Sequence, residues 1–96
     1  MKVYRWDDLK NEKIRSERGI KFEDIVVSIE EEGGLLAAIE HPNPNRYPNQ
    51  IILVVRLGGY AYAVPSIVEE EYIFLKTAYP SRELTKRYLG GGIDAS

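Results

Sequence analysis

The spacing of apolar residues changes near the middle of the chain, at the glycine pair Gly33-Gly34. Before this pair, Phe22, Ile25 and Ile29 recur at intervals of three and four residues, as on one face of a helix. After it come continuous apolar runs such as "IILVVRL" at residues 51–57, which are typical of a covered strand. Helices followed by a series of strands predict an α+β fold.

The strand region carries a hairpin signal. Gly58-Gly59 separates two segments of strand-forming residues, and a two-residue type I′ turn needs positive φ at both central positions. We therefore expect an antiparallel meander of four strands, over residues 35–41, 50–57, 60–66 and 72–79, with the helices on one side. Residues 2–6 are a further short strand candidate.

Helix boundaries can be read from capping residues. Asp7 or Asp8 is expected to cap a first helix that ends at Arg18, with Gly19 behind it. A second helix is expected over residues 22–32. A short last helix should follow Ser81 and end at Gly90, so that residues 1–89 form one domain and residues 90–96 form a flexible tail.

Composition excludes several classes of function. A chain of 96 residues with 44% hydrophobic and 29% charged residues is typical of one globular domain. With no cysteine and one histidine, His41, we expect neither a metal nor another cofactor. The N-terminal residues have no apolar signal segment and no apolar run reaches about 18 residues, so we predict a cytoplasmic protein without a membrane partner.

Positive charge collects near the end of an otherwise acidic chain. The formal net charge is −2, yet residues 72–89 hold four Lys or Arg residues and one acid. Arg82 follows the cap Ser81, where the helix dipole disfavours a cation, so a bound phosphate would explain it. Lys86 lies on the same helical face as Arg82, and Lys76 interrupts an apolar row. The alternatives are a favourable last-turn position for Lys86 and Arg87, and an edge-strand role for Lys76.

Other candidates are less specific. A histidine can take up or release a proton near neutral pH, so His41 suits acid–base chemistry, although a lone histidine is more often a hydrogen-bonded surface residue. Lys10 and Lys13 fall on the apolar arc of the first helix, which indicates either a polar cleft or a half-exposed helix. A hydrolase that uses Ser66 or Ser81 with His41 is a third interpretation.

Two segments resemble BrnT-type toxins: "WDDLKNEKIRSERGIKFEDI" at residues 6–25 and "FLKTAYPSRELTKRY" at residues 74–88. The matching positions are Trp6, Asp7, Lys10, Gly19, Ile20, Phe22, Glu23, Asp24, Ser81, Arg82 and Thr85. The resemblance implies a RelE-like fold: two N-terminal helices on a mainly antiparallel four-stranded sheet, with a short C-terminal helix. It also implies a ribonuclease that a co-expressed antitoxin neutralises.

The resemblance predicts the toxin of a prokaryotic type II toxin–antitoxin pair, a metal-independent endoribonuclease that cleaves RNA by attack of the 2′-OH. The alternative is a non-catalytic protein- or RNA-binding module of the same fold. The expected partners are a cognate antitoxin and RNA, and both a homodimer and a hetero-oligomer with the antitoxin remain open. The candidate catalytic residues are Arg82, Lys76, Lys86, His41 and Tyr79, and the candidate RNA-binding residues are Lys10, Lys13, Arg46 and Arg87.

Overall fold

The computed structural model describes residues 3–90, which form three helices and six strands in an α+β arrangement. The helices are α1 (Asp8–Arg18), α2 (Phe22–Glu30) and α3 (Arg82–Leu89). The strands are β1 (Val3–Arg5), β2 (Leu35–Glu40), β3 (Gln50–Leu57), β4 (Tyr60–Val68), β5 (Tyr72–Leu75) and β6 (Tyr79–Pro80). Apart from Gly90, the predicted tail lies outside the described residues.

The sheet is larger than predicted, and it is mixed. Its strand order is β1-β5-β4-β3-β2, and the short strand β6 pairs with β4 beside β5. All neighbours are antiparallel except β1 and β5, which are parallel and align Tyr4 with Ile73. The expectation of four antiparallel strands is wrong because β1 joins the sheet through a pairing distant in sequence.

Strand β4 has two partners on one side because of Pro65. The Pro65 carbonyl, which points toward β5, accepts from the backbone N–H of Lys76 at 2.8 Å. Pro65 has no N–H, so it cannot donate the second hydrogen bond toward β5. The neighbouring strand therefore ends at Leu75, and pairing with β4 resumes at Tyr79 opposite Ala63. The predicted single strand over residues 72–79 is thus two strands.

The front face of the sheet carries the main core, beneath α1 and α2. Ile14, Phe22 and Ile25 from the helices pack against strand residues that include Leu53 and Val64, and all five are buried. Leu9 of α1 is 80% exposed. Helix α1 therefore contacts the sheet through only a narrow stripe of apolar side chains.

The back face of the sheet is covered in part by α3. Leu84 of α3 borders a groove with Ile52 and Ala63, whose side chains point away from the front-face residues Leu53 and Val64. The expectation that all helices lie on one side is therefore wrong. Leu75 and Ala78 both belong to the front core, so side chains do not alternate between the two faces there as they would along one continuous strand.

The Gly58-Gly59 hairpin is present but uses another turn. Leu57 pairs with Tyr60 across the two glycines, as expected. Only Gly58 has a positive φ, of 63°, which fits a type II′ turn and not the type I′ turn predicted.

The side chain of Asn11 joins α1 to the start of α2. Its Oδ1 accepts from the backbone N–H of Phe22 at 2.7 Å, and its Nδ2 donates to Glu23 at 2.9 Å. The N-cap residue of α2, Lys21, makes no side-chain capping bond. Asn11 therefore serves as a cap supplied by another helix.

Asn11→Ala is expected to lower the free energy of unfolding by about 1–2 kcal/mol, the usual cost of losing a cap. The bond from Asn11, together with the backbone N–H of Glu23, lowers the pKa of the Glu23 carboxyl. The contribution of the Asn11–Glu23 bond to the free energy of unfolding is therefore complete above the unfolded-state pKa of about 4.3, and it is lost as the pH falls through the folded-state pKa. Urea unfolding should show that the difference in the free energy of unfolding between wild type and Asn11→Ala becomes smaller in acid. The difference should not vanish, because the bond from the Phe22 N–H to Asn11 persists. A difference that does not change with pH would contradict the contribution of Glu23.

Thr85 fastens α3 to the edge of β4. It is 2% exposed, and its Oγ1 accepts from the backbone N–H of Ala61 at 2.9 Å while donating to the Ser81 carbonyl at 2.7 Å. The backbone N–H of Ser81 in turn donates to the Ala61 carbonyl at 3.0 Å. The hydroxyl thus replaces a neighbouring strand at Ala61.

Thr85→Val keeps the shape of the side chain but leaves the buried Ala61 N–H without an acceptor. We expect a loss of about 1–3 kcal/mol in the free energy of unfolding, measured by urea denaturation. Thr85→Ser keeps the hydroxyl and should lose less. Equal stability of the Val variant and the wild type would show that the bond to Ala61 contributes nothing.

Candidate nucleic-acid interface

The predicted cations of α3 lie on two sides of the helix. Arg82 and Lys86 are exposed and share one side. Arg87 lies on another side, where its Nη2 is 3.2 Å from Glu83 Oε2 in an ion pair. The cap position is also occupied, because Ser81 Oγ accepts from the Leu84 N–H at 3.1 Å.

Lys76 does not join Arg82 and Lys86 around one gap. The backbone of Lys76 is bonded to Pro65, whereas that of Ser81, just before Arg82, is bonded to Ala61. Four residues of strand separate these attachments, or about 13 Å. The Lys76 amine also reaches the other way, to Gln50 Oε1 at 3.4 Å.

His41 and Lys76 instead both contact Gln50, at the opposite end of the sheet. The backbone N–H of His41 donates to the Gln50 carbonyl at 3.2 Å, while Lys76 contacts the Gln50 side chain. In the adjoining loop, the Tyr47 ring lies 4.4 Å from the His41 ring, centroid to centroid. The Arg46 Cζ is 5.7 Å from the same tyrosine ring. We call His41, Arg46, Tyr47, Gln50 and Lys76 the His41 end.

The loop over residues 42–49 holds this arrangement because Asn43 organises its turn. The Asn43 carbonyl accepts from the Tyr47 N–H at 3.0 Å, and its side-chain oxygen accepts from the Arg46 N–H at 3.4 Å. At the far side of the loop Asn49 has a φ of 69°, a conformation that asparagine tolerates better than most residues. The Pro- and Asn-rich composition thus gives a folded turn that fixes the positions of Arg46 and Tyr47.

A hydrogen bond indicates the tautomer of His41. The backbone N–H of Asn43 donates to His41 Nδ1 at 3.0 Å, so Nδ1 acts as the acceptor. In the neutral ring the proton is then carried by Nε2. His41 can therefore offer an N–H to an anionic oxygen.

The two cations of the His41 end belong to no ion pair described within residues 3–90. The ion pairs among the described residues join Glu12 to Arg15, Glu17 to Arg18 and Glu83 to Arg87, all of them away from the His41 end. None of them includes Lys76 or Arg46. The Lys76 amine contacts a neutral amide and the Arg46 guanidinium faces an aromatic ring, so both keep their charge for an external anion.

A groove on the back face leads from the loop toward α3. Its apolar lining consists of Ile39, Pro42, Ile52, Ala63 and Leu84, and its polar lining of Glu40, Tyr79, Ser81, Glu83 and Arg87. Because Arg87 is paired with Glu83, their charges offset each other, and Glu40 gives the lining a net negative charge. Tyr79 and Arg87, both predicted site residues, therefore line a groove whose net charge is negative.

Lys10 and Lys13 lie on α1, over the front face, apart from the groove. Lys13 is exposed, and Lys10 is partly buried while its backbone N–H donates to the capping carboxylate of Asp7 at 2.9 Å. This arrangement agrees with the half-exposed helix, the simpler of the two interpretations. The structure does not bring either lysine to the His41 end.

The serine-based hydrolase is not supported by the geometry. Ser66 is fully buried, and its hydroxyl donates to the Val64 carbonyl at 2.9 Å. Ser81 lies beside Ala61, whereas His41 is bonded to Gln50, the partner of Ile67 on β4. Six residues of strand, or about 20 Å, separate the two attachments.

The sequence interpretation missed Tyr47, Gln50 and Asn43. Tyr47 was not among the candidates, although the adjacent Arg46 and Tyr47 pair a cation with a ring inside a loop. Gln50 gives no signal of its own, since its role depends on a contact with Lys76, 26 residues away.

Comparisons with known proteins do not identify the chain: it matches no protein-family model, no curated protein and no solved structure. The resemblance to BrnT-type toxins therefore stays a prediction. Within residues 3–90 there is no group of three or more His, Asp or Glu side chains that fits a metal ion. No helix in that range is long and apolar enough to cross a membrane.

Proposed function

We propose that this chain binds single-stranded RNA through the His41 end. The observation that carries the proposal is the grouping of two cations outside any described ion pair, Lys76 and Arg46, with the Nε2–H of His41 and the ring of Tyr47. Cations and N–H donors suit phosphate oxygens, and a tyrosine ring suits an unstacked base. Among the predicted functions, RNA binding uses all of these groups.

The expected affinity is modest and depends on salt. The formal net charge of −2 gives no long-range attraction to RNA, so binding relies on local contacts. Each phosphate contact with single-stranded nucleic acid releases bound counterions and contributes about 0.7 to the slope of log affinity against log salt. Two cations therefore predict a shallow slope.

Lys76→Ala and Arg46→Ala are each expected to weaken binding of a short labelled RNA about tenfold, or about 1.4 kcal/mol. Each should also reduce the salt slope by about 0.7. Fluorescence anisotropy at several salt concentrations measures both quantities. Arg15→Ala is the matched control: it removes the same charge from α1, where Arg15 is paired with Glu12 at 2.7 Å. If the control weakens binding as much as Lys76→Ala, the His41 end is not the RNA site.

RNA cleavage is a second candidate function, favoured by the position of Tyr79. The groove that Tyr79 lines begins at Pro42, the residue after His41, so two proton-bearing groups flank one path. In this reaction the 2′-oxygen forms a bond to phosphorus and the bond to the 5′-oxygen breaks. One of Tyr79 and His41 would accept the proton of the 2′-OH, the other would donate a proton to the 5′-oxygen, and Lys76 would stabilise the charge of the phosphorane.

Cleavage would yield a 2′,3′-cyclic phosphate and a 5′-hydroxyl, which mass spectrometry of the RNA detects. We expect Tyr79→Phe to stop product formation while binding changes less than twofold, and His41→Ala and Lys76→Ala to weaken both. Expression of the chain alone should then arrest bacterial growth, and Lys76→Ala should relieve the arrest. RNA that is bound but left intact by the wild type would eliminate the enzyme and leave the binding function standing.

A further inference from the structure

Strand β2 lies at one edge of the sheet, and one side of it has no neighbouring strand among the described residues. It pairs with β3 and is the last strand of the order. The register of β2 on β3 continues to His41, whose N–H donates to Gln50. In an antiparallel pair the residues alternate between inward and outward bonding. Ile39 and Ala37 therefore bond to β3, and the N–H and C=O groups of Ala38 and Glu40 point outward.

The two edges of the sheet differ in how they are protected. The opposite edge, β1, has three residues, and the Arg5 guanidinium there covers the Tyr72 ring at 5.0 Å. Short strands, lysines, prolines and bulges are the usual protection against pairing with another chain. Strand β2 has six residues, "LLAAIE", with neither lysine nor proline, and a register shift between Leu35 and Ala37 at its start. From Ala37 onward its edge is open.

We propose that β2 pairs with β2 of a second copy of this chain, antiparallel, about a two-fold axis at Ala38. The outward groups of Ala38 then bond to those of Ala38 in the other copy, and Glu40 lies opposite Leu36. An axis perpendicular to the sheet keeps opposing side chains on the same face, so the two sheets continue as one. Ala37 meets Ile39 of the other copy on the back face.

A second copy fits this edge because the strand is complementary to itself. Its single charge, Glu40, is at one end. Antiparallel pairing places the two glutamates at opposite ends of the contact, whereas a parallel arrangement would align like charges. Small side chains at the centre, Ala37 and Ala38, let the two backbones approach. Two copies of a chain with a formal net charge of −2 repel each other only weakly.

The proposal is independent of RNA binding. Antiparallel pairing sends the two His41 residues to opposite ends of the contact, so neither contributes to the other's RNA site. Loss of RNA binding would leave the self-association unchanged.

Ala38→Cys tests the pairing directly, because the chain has no other cysteine. Residues opposite one another in a hydrogen-bonded pair have Cα atoms about 5.5 Å apart, within the range that a disulfide spans. Under mild oxidation we expect most of the variant to become a covalent dimer. The control Leu9→Cys places a thiol at an 80% exposed position on α1 and should cross-link far more slowly. Equal rates for the two variants would overturn the proposal.

Sedimentation equilibrium tests the uncross-linked chain. The wild type should show a monomer–dimer equilibrium, and Ala38→Lys should shift its dissociation constant at least tenfold toward the monomer. Leu9→Lys, the same kind of change elsewhere, should leave the constant unchanged. A wild type that stays monomeric at millimolar concentration would reject the proposal, as would a dimer insensitive to Ala38→Lys. A circular dichroism spectrum equal to that of the wild type shows that Ala38→Lys folds.

Discussion

The missing N–H of Pro65 in the central strand is the constraint on which the rest of this fold depends. A strand cannot pair fully along the side of β4 where that donor is absent, so the chain leaves the sheet after Leu75 and returns at Tyr79. Because the chain leaves the sheet between these two residues, Ala78 packs into the same front core as Leu75, three residues before it. The same departure from the sheet also places the start of α3 beside Ala61, and from there the helix covers part of the back face. Pro65 thus accounts for the split strand and for the position at which α3 begins.

The same geometry separates the positive charges that lie close together in sequence. Arg82, Lys86 and Arg87 are carried to the Ala61 end of β4 with α3, while Lys76 remains at the other end, beside Gln50. Arg87 is neutralised by Glu83, and the groove between the two ends retains a negative charge from Glu40. Arg82 and Lys86 remain exposed on α3, and a second small surface for an anion is made by a strand end and a loop, at the His41 end. Its groups provide hydrogen bonds, charge and a ring, which together suit recognition better than a single strong phosphate site.

The sequence predicted well those features that depend on neighbouring residues. Helix α1 ends before Gly19 in the left-handed conformation, and Ser81 caps α3, because both effects act within one helical turn. The hairpin at Gly58 was predicted for the same reason. The sequence did not predict the parallel pairing of β1 with β5, the cap from Asn11 or the contact of Lys76 with Gln50. Each of these joins segments whose proximity is decided by the whole sheet. For the candidate site, types of residue were predicted better than their grouping: His41 and Lys76 both contact Gln50, but the cations of α3 lie elsewhere.

The contact of Thr85 and Ser81 with Ala61 has a consequence for the order of events during synthesis. Ala61 leaves the ribosome well before residues 81–85, and its backbone groups find their partners only when that later segment arrives. Strand β1 also remains unpaired at first, since its partner β5 is made about seventy residues later. The helical hairpin and strands β2 to β4 can associate first, because their contacts are between consecutive segments. A nascent chain would therefore hold an incomplete sheet, open at both sides, until residues 72–85 emerge. A protein whose synthesis stopped within α3 would therefore have its main core assembled, but the edge of its central strand β4 would be exposed at Ala61.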